Sequence, residues 1–124
     1  MNWITIIVVI AALAALFAFK QMSLISPKTA KKYLQDGALV IDVRSPGEYT
    51  SGHLSKALNI PLGELEARLP EVEKDKTRVM LLHCLSGGRS GAAVYKLKAM
   101  GYQNVFNLGG YGRAQSIAHD SSGN

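Results

Sequence analysis

The sequence predicts an open α/β fold: a mainly parallel five-stranded sheet flanked by helices and preceded by one transmembrane helix. Three observations carry this. Short apolar runs, Ala38 to Ile41, Ala57 to Ile60, Val79 to Leu82 and Asn104 to Leu108, alternate with helical patterns at βαβ spacing. Two of them, Ala38-Leu39-Val40-Ile41 and Val79-Met80-Leu81-Leu82, are continuously apolar, as strands covered on both faces of a parallel sheet are. Trp3 to Phe19 holds Thr5 as its one polar side chain and stands outside the α/β pattern. With 124 residues there is room for one compact domain, which excludes a multidomain enzyme.

The seventeen residues from Trp3 to Phe19, at about 1.5 Å each, reach roughly 25 Å against a hydrocarbon core of roughly 30 Å. The run is longer than a signal-peptide core and closes on Phe17, Phe19 and Lys20 without a small-residue cleavage site, so it reads as an uncleaved anchor over residues 1–21. The chain carries 14 Lys and Arg against 9 Asp and Glu, net +5, and Lys20, Lys28, Lys31 and Lys32 crowd behind the apolar run. That clustering points to an inner-membrane surface rather than nucleic acid, with the carboxyl-terminal side in the cytoplasm. A lipid bilayer is thus the expected partner of residues 3–19.

The domain occupies residues 22–114. After Ser23-Leu24-Ile25, Ser26 and Pro27 supply an N-cap and first helical position, and Gly37 stops that helix. The strand through Ile41 ends in Asp42-Val43-Arg44. Pro46-Gly47-Glu48-Tyr49 begins a short helix, Gly52-His53-Leu54 a turn, and Glu64 to Leu69 a helix stopped by Pro70. The second apolar strand leads through Cys84-Leu85-Ser86-Gly87-Gly88-Arg89 into a helix from Ser90 to Met100, with Gly101 as its stop. Residues 115–124 are small, polar and aperiodic, the pattern of a frayed tail.

Cys84 is the one cysteine, so no internal disulfide or thiolate zinc site can form. It lies between a buried strand and a helix amino terminus, where peptide dipoles and unpaired N–H groups favour an anion and lower a thiol pKa. Gly87 and Gly88 permit positive φ, which lets consecutive N–H groups turn toward the sulfur as an anion nest closed by Arg89. Such a ring can hold a persulfide or an oxyanion.

These residues resemble a family. Ile41-Asp42-Val43-Arg44-Ser45, Glu48-Tyr49, Gly52-His53-Leu54, Cys84-x-x-Gly87-x-Arg89-Ser90 and Asn107-Leu108-Gly109-Gly110 occur in the order seen in single-domain rhodaneses. The resemblance covers Leu24 to Arg113. It implies a sulfurtransferase in which Cys84 takes a sulfane sulfur from a small donor (thiosulfate, polysulfide or persulfide) and carries it as a persulfide. The loop Leu85, Ser86, Gly87, Gly88 and Arg89 is the implied cradle, and a thiophile such as cyanide or a thiol is the implied acceptor. It implies no metal and no organic cofactor. Membrane attachment adds a membrane sulfur-metabolism protein as a candidate partner.

His83-Cys84 is also similar to the His-Cys-x5-Arg loop of cysteine phosphatases, but four residues separate Cys84 from Arg89, and that tighter ring suits sulfur better than a phosphoryl group. A membrane-tethered binding module with a redox-sensing thiol is the alternative of another class. Asp42 and Arg44 are supporting candidates that could orient the loop or bind an anionic donor, with a structural Arg44–Glu48 ion pair as the plainer role. His53 is expected to brace backbone, and His83 to point to the sheet face opposite Cys84. Leu85 and Ser86 are uncharged where thiosulfate-preferring relatives often carry basic residues. No tryptophan follows Gly109-Gly110.

Overall fold

A computed structural model of the chain describes residues 2–22 and 24–122, with side chains described for 2–17 and 24–120. Four strands form the sheet: β1 (Leu39–Asp42), β2 (Leu58–Asn59), β3 (Met80–His83) and β4 (Val105–Gly109). All pair in parallel, in the order β2-β1-β3-β4. The sheet therefore has four strands where five were expected. Leu24, in the stretch after the first helix, makes only an isolated bridge to Asn107. The run Ala57 to Ile60 shortens to two paired residues at the sheet edge, where there is one neighbour to bond.

The described residues also form six helices and a 3₁₀ turn: α1 (Trp3–Met22), α2 (Pro27–Gln35), α3 (Pro46–Ser51), the turn Leu62–Glu64, α4 (Leu65–Val72), α5 (Gly88–Ala99) and α6 (Tyr111–Ser122). Local chemistry sets the starts of α2 and α3. The Ser26 hydroxyl accepts from Thr29 N–H with Pro27 at the first position, and Ser45 with Glu48 closes a reciprocal capping box. Pro70 does not stop α4, which runs to Val72: a proline deletes one backbone bond, while buried Leu65 and Leu69 hold the helix down and Glu73 N–H bonds Leu69 O at 2.8 Å. The tail expected from Gln115 is likewise helical, because Ala114 and Ile117 lie one turn apart and both bury against the sheet.

Alternation along the strands divides the core. Ile41, Met80, Leu82 and Cys84 pack toward Leu65, Leu69, Ala93 and Leu97 of α4 and α5. Val40 and Leu81 pack toward Ala30 of α2 and toward Ala114 and Ile117 of α6. Complete burial of a leucine such as Leu82 or Leu97 is worth about 1.5–3 kcal/mol, so these two layers hold the strand ends in register.

The expected spanning anchor is not supported. Trp3–Met22 is helical and its described side chains are exposed, yet among the described residues no helix is long and apolar enough to cross a membrane. The side chains of Phe19 and Lys20, which closed the expected span, lie outside the described residues.

Candidate active site

Open parallel sheets place their sites beyond the carboxyl ends of the strands. Cys84 follows the last residue of β3, with β1 on one side and β4 on the other. Its N–H bonds Gly109 O at 3.1 Å, so the cysteine backbone stays pinned to the sheet while the chain turns into α5. The side chain is fully buried. Its sulfur accepts from Gly87 N–H at 2.9 Å and lies 3.4 Å from the Ser90 hydroxyl.

Burial pushes the Cys84 thiol up. The Ser90 hydroxyl and the N–H groups of Ser90, Gly87 and Ser86 outweigh it and leave the thiol below its ordinary value. Gly87 sits at φ +100°, outside the range comfortable for a side chain, and that turn aims its N–H at the sulfur. Gly88 is helical, so one positive-φ residue builds the turn rather than the expected pair. Opposite the loop, a Cβ on Gly110 would stand 2.6 Å from Leu85 O. Glycine there lets Ser86 bridge Gly110 and Tyr111 N–H bond Leu85 O at 3.2 Å. Leu85 and Ser86 are exposed at the mouth.

Arg89 does not close the ring as expected. Its guanidinium makes a two-pronged ion pair with Glu48 of α3, at 2.7 and 3.0 Å, and makes no hydrogen bond to the sulfur. The pair forms because α3 and α5 both begin at the carboxyl edge of the sheet and face each other across the mouth. Arg89, then the Ser45 N–H, hold the Glu48 carboxyl down at about 2. A depressed carboxyl contributes above its ordinary range and loses that contribution as pH falls through about 2, so the pair is intact at neutral pH. Arg89→Ala should consequently raise the midpoint of a Cys84 alkylation–pH profile by less than Ser90→Ala does; a larger shift in the arginine variant would contradict this geometry.

Asp42 and Arg44 belong to a separate buried brace. Arg44 Nε and Nη2 bond the Asp42 carboxylate at 2.8–3.1 Å, Nη2 also reaches Gly52 O at 2.7 Å, and the guanidinium stacks 4.5 Å from the Tyr111 ring. The expected Arg44–Glu48 pair is replaced by Arg44–Asp42 and Arg89–Glu48. The brace ties β1 to the turn after α3 and to α6, and neither residue bonds the sulfur. His53 Nδ1–H donates to Tyr49 O (2.8 Å), and its ring stacks on the Tyr49 ring. His83 is buried on the Asp42 and Tyr111 side, with Nδ1 3.2 Å from Cys84 O and Nε2 3.7 Å from Asp42. Burial lowers the His83 pKa, with Asp42 opposing. Among the described residues no group of three or more His, Cys, Asp or Glu could hold a metal ion.

Three contributors escaped the sequence reading of the site. Ser90 and Asn107 were visible only as members of a motif, and Glu48 as a member of a motif and as a partner for the wrong arginine. The usable signal for Ser90 is its place in the first turn of α5, three residues beyond Gly87, which turns its hydroxyl back over the loop.

Comparison with known proteins bears on what such a loop does. Residues 26–114 match the model of the rhodanese-like domain. Over 70 residues the chain is 41% identical to thiosulfate sulfurtransferase PspE of Escherichia coli (strain K12), covering 56% of this chain and 67% of that protein. Among further curated relatives the match spans about half the length, 56% and 48%. A solved rhodanese with anions from E. coli superposes with TM-score 0.60 at 38% identity, over 62% of this chain and 91% of the other. The human single-domain sulfurtransferase TSTD1 superposes with TM-score 0.65 at 26% identity, over 76% and 96%. By the extent of the family match and the parallel sheet that carries its cysteine loop, the chain belongs to the rhodanese-like domain family.

Proposed function

We propose that the chain is a sulfurtransferase that moves a sulfane sulfur from a donor such as thiosulfate or polysulfide to cyanide or a thiol through a persulfide on Cys84. One observation carries the reading: a buried sulfur at a strand-to-helix junction, held by the Gly87 N–H and the Ser90 hydroxyl and left readier to ionise than an ordinary thiol. The Cys84 thiolate attacks the outer sulfur of thiosulfate, the S–S bond breaks, and sulfite leaves with the bonding pair. The outer sulfur of the resulting persulfide is then attacked by cyanide. Its bond to Sγ breaks, thiocyanate departs and the thiolate returns. The N–H groups around Sγ stabilise the anion at both ends of the cycle without reorganising.

Incubation of the chain with thiosulfate and cyanide tests this by thiocyanate release; polysulfide replaces thiosulfate in a parallel arm, because Leu85 and Ser86 put no cation at the mouth. Turnover with either donor supports the reading, and its absence with both refutes it.

We propose for localisation the inner membrane with the domain on its cytoplasmic side, supported by the exposed Trp3, Ile7, Ile10 and Leu13 and by nearby Lys28, Lys31 and Lys32. The full chain should float with anionic vesicles, and a chain lacking residues 1–22 should not; a full chain left in the pellet contradicts attachment.

A further inference from the structure

The polar groups that touch the Cys84 sulfur are themselves held by one strand residue. Asn107, on β4, is 3% exposed. Its Oδ1 accepts from Gly109 N–H at 2.9 Å and from the Ser90 hydroxyl at 2.7 Å, and its Nδ2 donates to Gly87 O at 3.2 Å. A backbone donor at one end and a backbone acceptor at the other fix which end of the amide is oxygen. The Ser90 hydroxyl has three acceptors in reach, Asn107 Oδ1 at 2.7 Å, Gly87 O at 3.2 Å and Cys84 Sγ at 3.4 Å. It has one proton to give. The distances assign that proton to Asn107 in this structure, which leaves a Ser90 lone pair to accept from a protonated thiol.

We propose that Asn107 is a positioning residue that governs the Cys84 sulfur by competing with it for the single proton of Ser90. When Cys84 is a thiol, Ser90 donates to Asn107; when Cys84 is a thiolate, the hydroxyl rotates and donates to Sγ. The rotation leaves no orphan, because Asn107 Oδ1 keeps the Gly109 N–H. In the transfer cycle, where this rests on the sulfurtransferase reading, the rotation meets the electron pair that returns to Sγ as the persulfide S–S bond breaks. The proton stays on Ser90 throughout. The other charged or titratable groups near the thiol are His83 beside it on β3, Asp42 and Arg44 from β1, Glu48 of α3 and Arg89 of α5. None of these hydrogen-bonds Asn107 or Ser90 among the described residues.

A merely structural Asn107 makes the opposite prediction. Cutting it back loosens Gly87, weakens the N–H contact to sulfur and raises the thiol pKa. Competition predicts a fall, because Asn107→Ala leaves Ser90 free to serve the thiolate. The test is the pH profile of Cys84 alkylation by iodoacetamide in the full chain. In Asn107→Ala the midpoint should drop by about half a unit, about threefold in rate below the midpoint, and in the Ser90→Ala background the same substitution should produce no drop. A midpoint that stays or rises in Asn107→Ala, or an equal drop without Ser90, overturns the proposal. If Asn107→Ala does not melt cooperatively, Asn107→Ser, whose shorter hydroxyl cannot span to Ser90, carries the same expectation. Alkylation does not depend on sulfur transfer: a chain that shows the shift yet forms no persulfide refutes the sulfurtransferase reading and leaves Asn107's control of the thiol standing.

Discussion

Cys84→Ser is expected to lower thiocyanate formation at least about a thousandfold while leaving the melting curve nearly unchanged, because a neutral hydroxyl is a far poorer nucleophile toward sulfur than a thiolate and cannot carry a persulfide. The fold has no reason to notice. A serine oxygen is smaller than the sulfur it replaces, and Gly87 N–H and Ser90 remain as partners. Residual turnover above about a hundredth of the parent rate would mean that sulfur passes through the domain by another route. Loss of turnover accompanied by loss of folding would show instead that the buried thiol serves packing.

Asp42→Ala should have the largest effect on stability, a loss of about 3–5 kcal/mol, because it removes the carboxylate that pairs a buried guanidinium and leaves that charge with a carbonyl and a ring face. Asp42 also accepts the Arg44 backbone N–H at 2.9 Å, so the substitution unties the end of β1 as well. Urea denaturation at neutral pH checks this: the midpoint should fall with little change in slope. A drop under about 1 kcal/mol would mean that water reaches Arg44 once its partner is gone. The damage should reach the cysteine loop indirectly, through Tyr111, whose ring lies under Arg44 and whose N–H holds Leu85 O.

The sheet was legible where burial is two-sided. Val40-Ile41 and Leu81-Leu82 are apolar at consecutive positions because helices cover both faces of β1 and β3, and no helical period reproduces that run. The turn from β3 into α5 was legible from Gly87, whose positive φ the sequence could anticipate. Edges and termini were harder to read. β2 shows an apolar run but pairs over only two residues, since an edge strand may leave the ladder without orphaning more than solvent-facing groups. Gln115 to Ser122 looks like a tail because, among the described residues, its packed face is marked by Ala114, Ile117 and the half-buried Ala118, and a stripe that short, two of it alanine, is too sparse to register as a period.

Charge pairing was the least legible part of the site. Arg44 has Asp42 two positions before it and Glu48 four positions after it, and nothing in local spacing decides between them. The strand end decides: Arg44 folds back on its own strand and leaves Glu48 to meet Arg89 across the mouth, a contact 41 residues apart. Asn107 was hidden for a similar reason. A polar residue in a strand reads as an outward-facing position, and here it faces inward because Ser90 and Gly109 engage the oxygen end of its amide and Gly87 the nitrogen end.

The central claim is that Cys84 holds the sulfur in transit, and the intact mass of the chain after brief exposure to thiosulfate or polysulfide and removal of the donor tests it most directly. The account predicts a gain of one sulfur atom, located on Cys84 by fragmentation, absent from Cys84→Ser and discharged by cyanide. An unmodified chain with both donors, or an adduct that persists in Cys84→Ser, would contradict it.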